Sequence, residues 1–471
     1  MGMKPFSAST LEMGSEQEER YYERLKIVFL TVAFFCVIGS YTVAKELKNS
    51  VFLYIVGREY IPIMRALSLV FFIPAILLYT RLVDKIRRYH LLCLYSAFFG
   101  IVGLIFAYYL GHPTIGLANT DSSKYRIFGW LFYFFIEGYS PFVVSVFWAY
   151  ANSISSAKSA KDHYGWMVSG SKLGGMLTAG LAWIFLGMQD GNGNPLSTDV
   201  HNHQVLMAGI SLLLLIVPAV VILMIKKIPG RFLHGYEAAY QVEKHKKELH
   251  KEDAGMFTGL RLLIKYPYVM GIFGMTYFYE VISTVLSYVK IGVAQSNNET
   301  MSGTLRYLLE IIFVTHCVGF VISLVGTSYL FRKLGTRRCL LLIPATAGIV
   351  LVYFMLSGST ATALLVASVA LQAVNYAFSW PLRESLYIPT IKDIKFKSKS
   401  WVDAFGSKFA KTSGSAFNFA VAGLSATAFS NAYSIFFTGL IGMWLGTAYL
   451  LGRRFDEAVA NDEVIGAEEN E

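Results

Sequence analysis

Cysteine is scarce in this sequence, and its few thiols are not arranged to hold a metal or to form disulfides. Four cysteines occur in 471 residues. All lie in or beside apolar runs, and none shows the Cys-x-x-Cys spacing of a zinc or redox site. We therefore expect buried free thiols, no metal site, no disulfide and no cofactor. The four residues are Cys36, Cys93, Cys317 and Cys339.

Charged residues are also rare, at 15% of the chain against 55% hydrophobic and 15% aromatic residues. This composition excludes an ordinary soluble domain and is typical of a protein that crosses the membrane many times. A formal net charge of +10 would also suit a nucleic-acid-binding protein. The basic residues, however, are distributed among loops between apolar runs, a pattern that membrane orientation explains first. We expect the lipid bilayer as a partner and no nucleic acid.

Apolar runs of roughly 20 residues recur along the chain, and each is long enough to cross a bilayer as a helix. The sequence therefore predicts an all-α membrane protein with twelve transmembrane helices in two sets of six. The predicted spans lie near 27–46, 60–80, 90–110, 127–151, 164–187, 204–225, 268–288, 308–330, 339–357, 361–388, 406–427 and 431–451. The predicted order is an N-terminal tail (1–26), a first six-helix half (27–225), a charged linker (226–267), a second six-helix half (268–451) and an acidic C-terminal tail (452–471).

Lysine and arginine are missing from several loops on one side of the predicted bundle. The loops at 188–203, 358–360 and 428–430 contain neither residue, whereas the linker at 226–267 is rich in both. Basic loops stay on the cytoplasmic side of a membrane. We therefore expect both termini in the cytoplasm, and we place the protein in a bacterial inner membrane.

The two halves resemble one another at equivalent positions. The segments 79–88 and 329–338 both begin with Tyr and end with Arg-Arg, and Gly170-Ser-Lys172 and Gly406-Ser-Lys408 both open a span. Together these matches favour parallel repeats of the major-facilitator kind, in which the substrate binds near the midplane between the halves. We predict a cytoplasmic gate formed by charged residues of the repeated loops: Asp84, Arg87, Arg88, Arg337 and Arg338.

Several cations lie where the apolar spans should enclose a central cavity. A Lys or Arg at the bilayer centre costs ~2.5–3.5 kcal/mol on insertion scales, so such a residue normally faces water or a partner. Lys45 and Lys48 share one face of span 1 with Tyr41, and Lys408 and Lys411 share one face of span 11. For Lys45 and Lys48 the alternative is a structural ion pair or a snorkelling group at the membrane edge. For Arg383, Lys408 and Lys411 the alternative is a basic cytoplasmic loop. We favour a path for an anionic substrate, with these predicted phosphate-binding residues: Lys45, Lys48, Arg383, Lys408 and Lys411.

Two carboxylates also lie inside predicted spans. Glu137 in span 4 and Glu280 in span 7 have aromatic residues beside them in the sequence. A carboxylate beside phosphates would not help to bind them. These acids, together with Tyr41, are therefore candidates for contact with the base or ribose end of a nucleotide, for pairing with Lys45 or Lys48 in the empty site, or for proton coupling.

Four motifs together resemble the ATP/ADP translocase family of plastids and intracellular bacteria. They are Lys48-Asn49 at the end of span 1, Glu137 followed by Phe147-Trp148-Ala-Tyr-Ala-Asn152, Glu280 in span 7, and Gly406-Ser-Lys408-Phe-Ala-Lys411-Thr-Ser-Gly414 after Tyr387-Ile-Pro389. The resemblance covers nearly the whole chain. It adds Asn152 to the residues expected to act on the base or ribose or in coupling.

The resemblance implies a major-facilitator-like transporter, not an enzyme, that moves nucleoside phosphates by alternating access, commonly ATP against ADP and phosphate. We expect a monomer whose partner is a nucleotide, with phosphate or protons in addition. Asn49 in place of Asp, and Lys408 in place of Arg, depart from the family pattern. Two alternatives therefore stay open: proton-coupled net import of another nucleotide, and carriage of a different organic anion.

Overall fold

The computed structural model describes most of the chain between residues 8 and 466. The described residues are 8–86, 88–155, 157–233, 258–325, 327–357, 360–387, 389–391, 394, 398–461 and 463–466. Nearly all of them are helical.

Twelve long helices follow one another in these ranges, which confirms the predicted all-α fold. The first six are α1 (Ala8–Ile55), α2 (Ile61–Lys85), α3 (Arg88–Leu110), α4 (127–154), α5 (Ala157–Leu186) and α6 (Asp199–Lys227). The second six are α7 (Pro267–Ser296), α8 (Met301–Val325), α9 (Thr327–Leu356), α10 (361–385), α11 (399–421) and α12 (Ala426–Ala460). By length and composition, eight of the described helices are apolar enough to cross a membrane. The short helix Thr258–Lys265 precedes α7.

The helices extend beyond the apolar runs that predicted them. α1 begins at Ala8, inside the segment predicted as a tail, and α7 continues to Ser296. α9 includes the basic loop predicted before span 9, with a break at Gly335, where φ is +74°. Glycine adopts such a φ without the steric cost that other residues pay. Hydropathy marks where a chain is apolar, whereas a helix continues wherever its backbone stays hydrogen-bonded, so the two sets of bounds differ.

Buried apolar side chains form three clusters. One lies within residues 27–228, where Phe34 stacks on Phe147 with ring centroids 4.4 Å apart. Another lies within residues 263–465 and contains Trp444. The third combines residues of both halves, among them Phe52 of α1 and Leu305 of α8, at the end of the bundle away from α1's start. At this end, which we call the distal end, burial of apolar surface holds the two halves together.

An irregularity shared by α4 and α10 marks equivalent positions in the two halves. α4 contains a π-helical turn at Ser140–Val144, and α10 contains one at Asn375–Ser379. Such turns are rare and occur often at functional sites. Glu137 stands three residues before the first turn, and Gln372 stands three residues before the second. We therefore treat Glu137 and Gln372 as counterparts.

Candidate functional site

Glu137 is at the centre of a cluster of three charged residues between the halves. Its Oε2 accepts a hydrogen bond from Lys48 Nζ of α1 at 2.6 Å, and its Oε1 accepts one from Lys408 Nζ of α11. The exposed fractions of the Glu137, Lys48 and Lys408 side chains are 14%, 8% and 13%. Charge-assisted bonds of this kind are roughly twice as strong as neutral ones. One carboxylate thus ties α1, α4 and α11 together, and two positive charges share one negative charge.

Aromatic rings complete the surroundings of these lysines. Lys48 Nζ lies 4.4 Å from the centroid of the Tyr133 ring, and Lys408 Nζ lies 4.6 Å from that of the Phe72 ring. At such distances the ring face attracts an ammonium group, more strongly when water is excluded. The rings hold the two ammonium groups in place, and in the described part of the chain Glu137 is the one carboxylate paired with them.

Three further charged residues of the predicted site have no hydrogen bond or ion pair among the described residues. They are Lys45, Glu280 and Lys411, and each is partly buried. An unpaired charge shielded from water is costly. An anionic ligand would therefore gain by contacting the two lysines, and Glu280 would not contribute to this gain.

Sequence reasoning missed a second ion pair between the halves. Lys290 Nζ of α7 donates to Glu46 Oε1 of α1 at 3.2 Å, and Asn49 Nδ2 donates to Glu46 Oε2, also at 3.2 Å. The Glu46 side chain is fully buried, and that of Lys290 is 5% exposed. The apolar run that predicted span 7 ends before Lys290, although α7 continues through it. An acid directly beside Lys45 was the signal that could have revealed the pair.

Arg383 does not join the lysines around Glu137. Its Nη1 donates to Thr276 Oγ1 of α7 at 2.7 Å, and its guanidinium lies 5.2 Å from the Trp380 ring centroid. Tyr41 stacks on Tyr139 of α4, with ring centroids 5.5 Å apart. Tyr41 therefore lines the first half near Lys48, whereas Arg383 sits against α7 in the second half.

The predicted gate is described only in part. Arg337 lies over the Tyr449 ring of α12, 4.7 Å from its centroid, and Arg338 is exposed. The other gate positions lie outside the described residues, so their roles stay predictions: Arg87, and the side chains of Asp84 and Arg88. The side chain of Asn152, predicted to act on the base or ribose or in coupling, also lies outside them.

Polar contacts between the halves gather at the distal end. Asp199, the first residue of α6, accepts hydrogen bonds from the backbone N–H groups of Met301, at 3.0 Å, and Ser302, at 3.2 Å. Asn202 Nδ2 donates to Ser302 Oγ at 3.0 Å. A carboxylate at a helix N-terminus satisfies free N–H groups and the positive end of the dipole. These bonds reinforce the apolar cluster that joins the halves there.

Twelve helices in two repeated sets enclose charged residues that both halves contribute, an arrangement that suits alternate exposure of an anion site to the two sides of a membrane. Solved transporters share the fold. The inward-open xylose transporter XylE from E. coli covers 90% of this chain and 96% of its own at a TM-score of 0.60 and 13% identity. The nucleoside transporter NupG covers 93% and 99% at a TM-score of 0.55 and 12% identity. The chain therefore has a major-facilitator-like fold.

The family within this class follows from the sequence. The family model of the TLC ATP/ADP transporters matches residues 20–455, and the chain belongs to that family. ADP,ATP carrier protein 2, chloroplastic, of Arabidopsis thaliana is 23% identical over 93% of this chain and 76% of its own length. The plastidic ATP/ADP-transporter of Solanum tuberosum is 32% identical over 30% of this chain and 25% of its own length. The predicted family is confirmed, and the protein is a transporter, not an enzyme.

Proposed function

We propose that this transporter exchanges ATP for ADP and that the nucleotide phosphates bind the lysines around Glu137. The observation that carries the proposal is that both Glu137 oxygens are occupied by lysines, one from each half. A polyphosphate offers several anionic oxygens that can replace this carboxylate on Lys48 and Lys408. Lys45 and Lys411 would take further phosphate oxygens. Arg383, the fifth predicted phosphate contact, would act from the side of α7.

Displacement of Glu137 would couple binding to movement. The bond between Lys408 and Glu137 ties α11 of the second half to α4 of the first. A substrate that takes Lys408 removes this tie. Because a ligand shifts a conformational equilibrium only through its different affinity for the two states, such a change in contacts is what alternating access requires.

The base and ribose would lie beyond the lysines, near Tyr41, Asn152 and Glu280. Glu280 also favours the alternative of proton-coupled net import. It has no ion pair among the described residues, and an unpaired carboxylate inside a transporter is a candidate proton carrier.

Uptake of labelled ATP into proteoliposomes tests the proposal. ATP and ADP should compete strongly, whereas simple dicarboxylates should not, and uptake should require ADP inside the vesicles. Uptake into vesicles without nucleotide, driven by an imposed pH gradient, would instead support proton-coupled import. Equal competition by unrelated organic anions would disprove nucleotide recognition.

Charge removal tests the assigned lysines in the same assay. Lys48→Met and Lys411→Met should each lower ATP uptake by about tenfold or more, the effect of losing one charge-assisted bond of roughly 1.4 kcal/mol. Lys124→Met removes the same charge from an exposed loop and is the matched control. Normal uptake by both site variants would show that these lysines do not bind phosphate.

We further propose that the protein works as a monomer in a bacterial inner membrane, with phosphate or protons as additional partners and both termini in the cytoplasm. The basic linker supports this orientation. A reporter fused after Lys247 should be cytoplasmic, and one fused at Gly191 should lie on the far side. Both reporters on one side would contradict the topology.

The monomer has its own test. Light scattering of the purified protein should give the mass of one chain, and the mass of two chains would contradict the proposed monomer.

A further inference from the structure

A second group of basic residues lies between the halves, apart from the cluster around Glu137. Lys172 of α5 is 9% exposed, and His316 of α8 is 7% exposed. Lys172 has no hydrogen bond or ion pair among the described residues, and its Nζ lies 4.9 Å from the centroid of the Tyr376 ring of α10. His316 Nδ1 is buried and also lacks a partner among them. His316 Nδ1 is therefore a buried nitrogen without a hydrogen-bond partner, and Lys172 is a largely buried cation without a counterion among the described residues.

Lys172 and His316 belong to one group. Gly175, one turn after Lys172 on α5, packs so closely on the His316 ring that a Cβ at this position would lie 2.6 Å from Nε2. His316 Nε2 also contacts the Thr42 hydroxyl of α1 at 3.3 Å, and Lys45 lies about one turn after Thr42 on that helix. No carboxylate contacts Lys172 or His316 in the described ranges. The group thus draws residues from α1, α5, α8 and α10, two helices of each half.

The internal repeat accounts for the missing counterion. Lys172 and Lys408 both follow Gly-Ser at equivalent places in α5 and α11. Lys408 is paired with Glu137, whose counterpart before the π-helical turn of α10 is Gln372. Gln372 has no charge, and its Oε1 is buried without a partner among the described residues. The fold therefore contains two related lysine positions. Lys408 has a carboxylate partner, Glu137, whereas at the position related to Glu137 the other half has the uncharged Gln372.

We propose that Lys172 and His316 form a second anion subsite, on the side of Lys45 away from Glu137, which binds a phosphate group. The proposal rests on nucleotide exchange as the function and specifies where a further phosphate would lie. The source of the phosphate is either the terminal group of a nucleoside triphosphate or free inorganic phosphate. Phosphate oxygens accept several hydrogen bonds at once, which matches the unpaired ammonium of Lys172 near the unpaired imidazole nitrogen of His316.

The hydrogen bonds of Thr42 define the part played by His316. The Thr42 hydroxyl donates to the Ile38 carbonyl at 2.8 Å, so the 3.3 Å contact with His316 Nε2 has the imidazole as donor. In the neutral ring Nδ1 is then an acceptor, which can bind a protonated phosphate oxygen. His316 thus offers a hydrogen bond to a phosphate group, and Lys172 offers the positive charge.

The Lys172→Met variant tests the subsite because methionine keeps an unbranched apolar chain and removes the charge. Inorganic phosphate at matched ionic strength should raise the Tm of the purified wild-type protein, and this rise should be lost in the variant. Without phosphate, the variant should be at least as stable as the wild type, since an unpaired buried charge has been removed. Lys124→Met, in an exposed loop, should respond like the wild type. His316→Gln provides an independent second variant.

Nucleotide binding separates the two sources of phosphate. If the subsite takes the terminal phosphate of the nucleotide, Lys172→Met should weaken ATP binding about tenfold, one lost bond of roughly 1.4 kcal/mol, and leave AMP binding nearly unchanged. If it takes free phosphate, both nucleotides should bind as before and only the phosphate-induced rise in Tm should disappear. An unchanged ratio of ATP to AMP affinity with no phosphate effect that depends on Lys172 or His316 would overturn the subsite. Phosphate binding through Lys172 in a protein that binds no nucleotide would refute the proposed exchange alone.

Discussion

At the scale of single residues, Glu137 controls how much positive charge the site offers to a ligand. Its carboxylate occupies Lys48 and Lys408 at once. In a site shielded from water, removing one partner of such a cluster leaves a charge without compensation, which is more costly than the pair itself is stabilising. The empty site thus avoids unpaired lysines by using an internal anion that a substrate can replace.

The Glu137→Gln variant should bind nucleotide more tightly and exchange it more slowly. In this variant the phosphates no longer compete with a carboxylate for the lysines. Nucleotide release becomes slower, because no carboxylate is present to replace the phosphates on Lys48 and Lys408. We expect both the dissociation constant and the exchange rate to fall by about tenfold, equivalent to roughly 1.4 kcal/mol. Binding of labelled ATP to purified protein and exchange in proteoliposomes measure the two quantities. Glu299→Gln, at an exposed acid, is the control; weaker binding by Glu137→Gln would mean that Glu137 contacts the nucleotide directly.

The charged residues of the site were predictable from sequence as candidates, and pairing of Glu137 with Lys48 was one of the options, but the second partner, Lys408, was not predicted. Lys48, Glu137 and Lys408 stand out because each interrupts an apolar run. Which acid meets which base depends on the packing of α1, α4 and α11, and no local pattern contains that information. The prediction of Arg383 beside the lysines shows the same limit. It rested on nearness in sequence to Lys408, whereas the fold places Arg383 against Thr276 of α7.

At the scale of helices, apolar runs predicted the number and order of the elements well. They did not predict the π-helical turns of α4 and α10, because such turns depend on one extra residue in a hydrogen-bonded turn and have no composition of their own. The turns matter because they allow Glu137 and Gln372 to be compared across the repeat. Only that comparison shows that the acid is present in one half and absent from the other.

Asp199 joins two helices of different halves and should therefore stabilise the conformation that is closed at the distal end. Its carboxylate caps α8 from the start of α6. Replacing a capping side chain with alanine costs about 1 kcal/mol, so Asp199→Ala should raise the population open at this end by roughly fivefold. Spin labels at Leu196 and Glu299, both exposed, would report the separation of the two loops. Asp190→Ala removes an acid bonded only within its own turn, and it should leave the distances unchanged; an equal effect of both variants would rule out a specific role for Asp199.

At the scale of the whole molecule, the two halves are joined unevenly. Apolar residues of both halves share one buried cluster at the distal end, whereas the other two clusters described each lie within one half. The ion pairs Lys408–Glu137 and Lys290–Glu46 add connections between the halves. A transporter that alternates its access must break the distal contacts in each cycle, while contacts within a half can persist.

Cross-linking the distal end should therefore stop transport. In a variant whose four native cysteines are replaced, Asn202→Cys and Ser302→Cys would substitute two side chains that are hydrogen-bonded at 3.0 Å across the halves. Oxidation to the disulfide should reduce nucleotide exchange by about tenfold or more, because the rigid-body movement that opens this end is blocked, and a reductant should restore it.

The matched control is Ser50→Cys with His203→Cys, whose native side chains are also 3.0 Å apart but join α1 and α6 of the same half. Oxidation of this pair should leave exchange unchanged. Normal exchange by the oxidised Asn202 and Ser302 pair would show that transport does not require the halves to separate at the distal end.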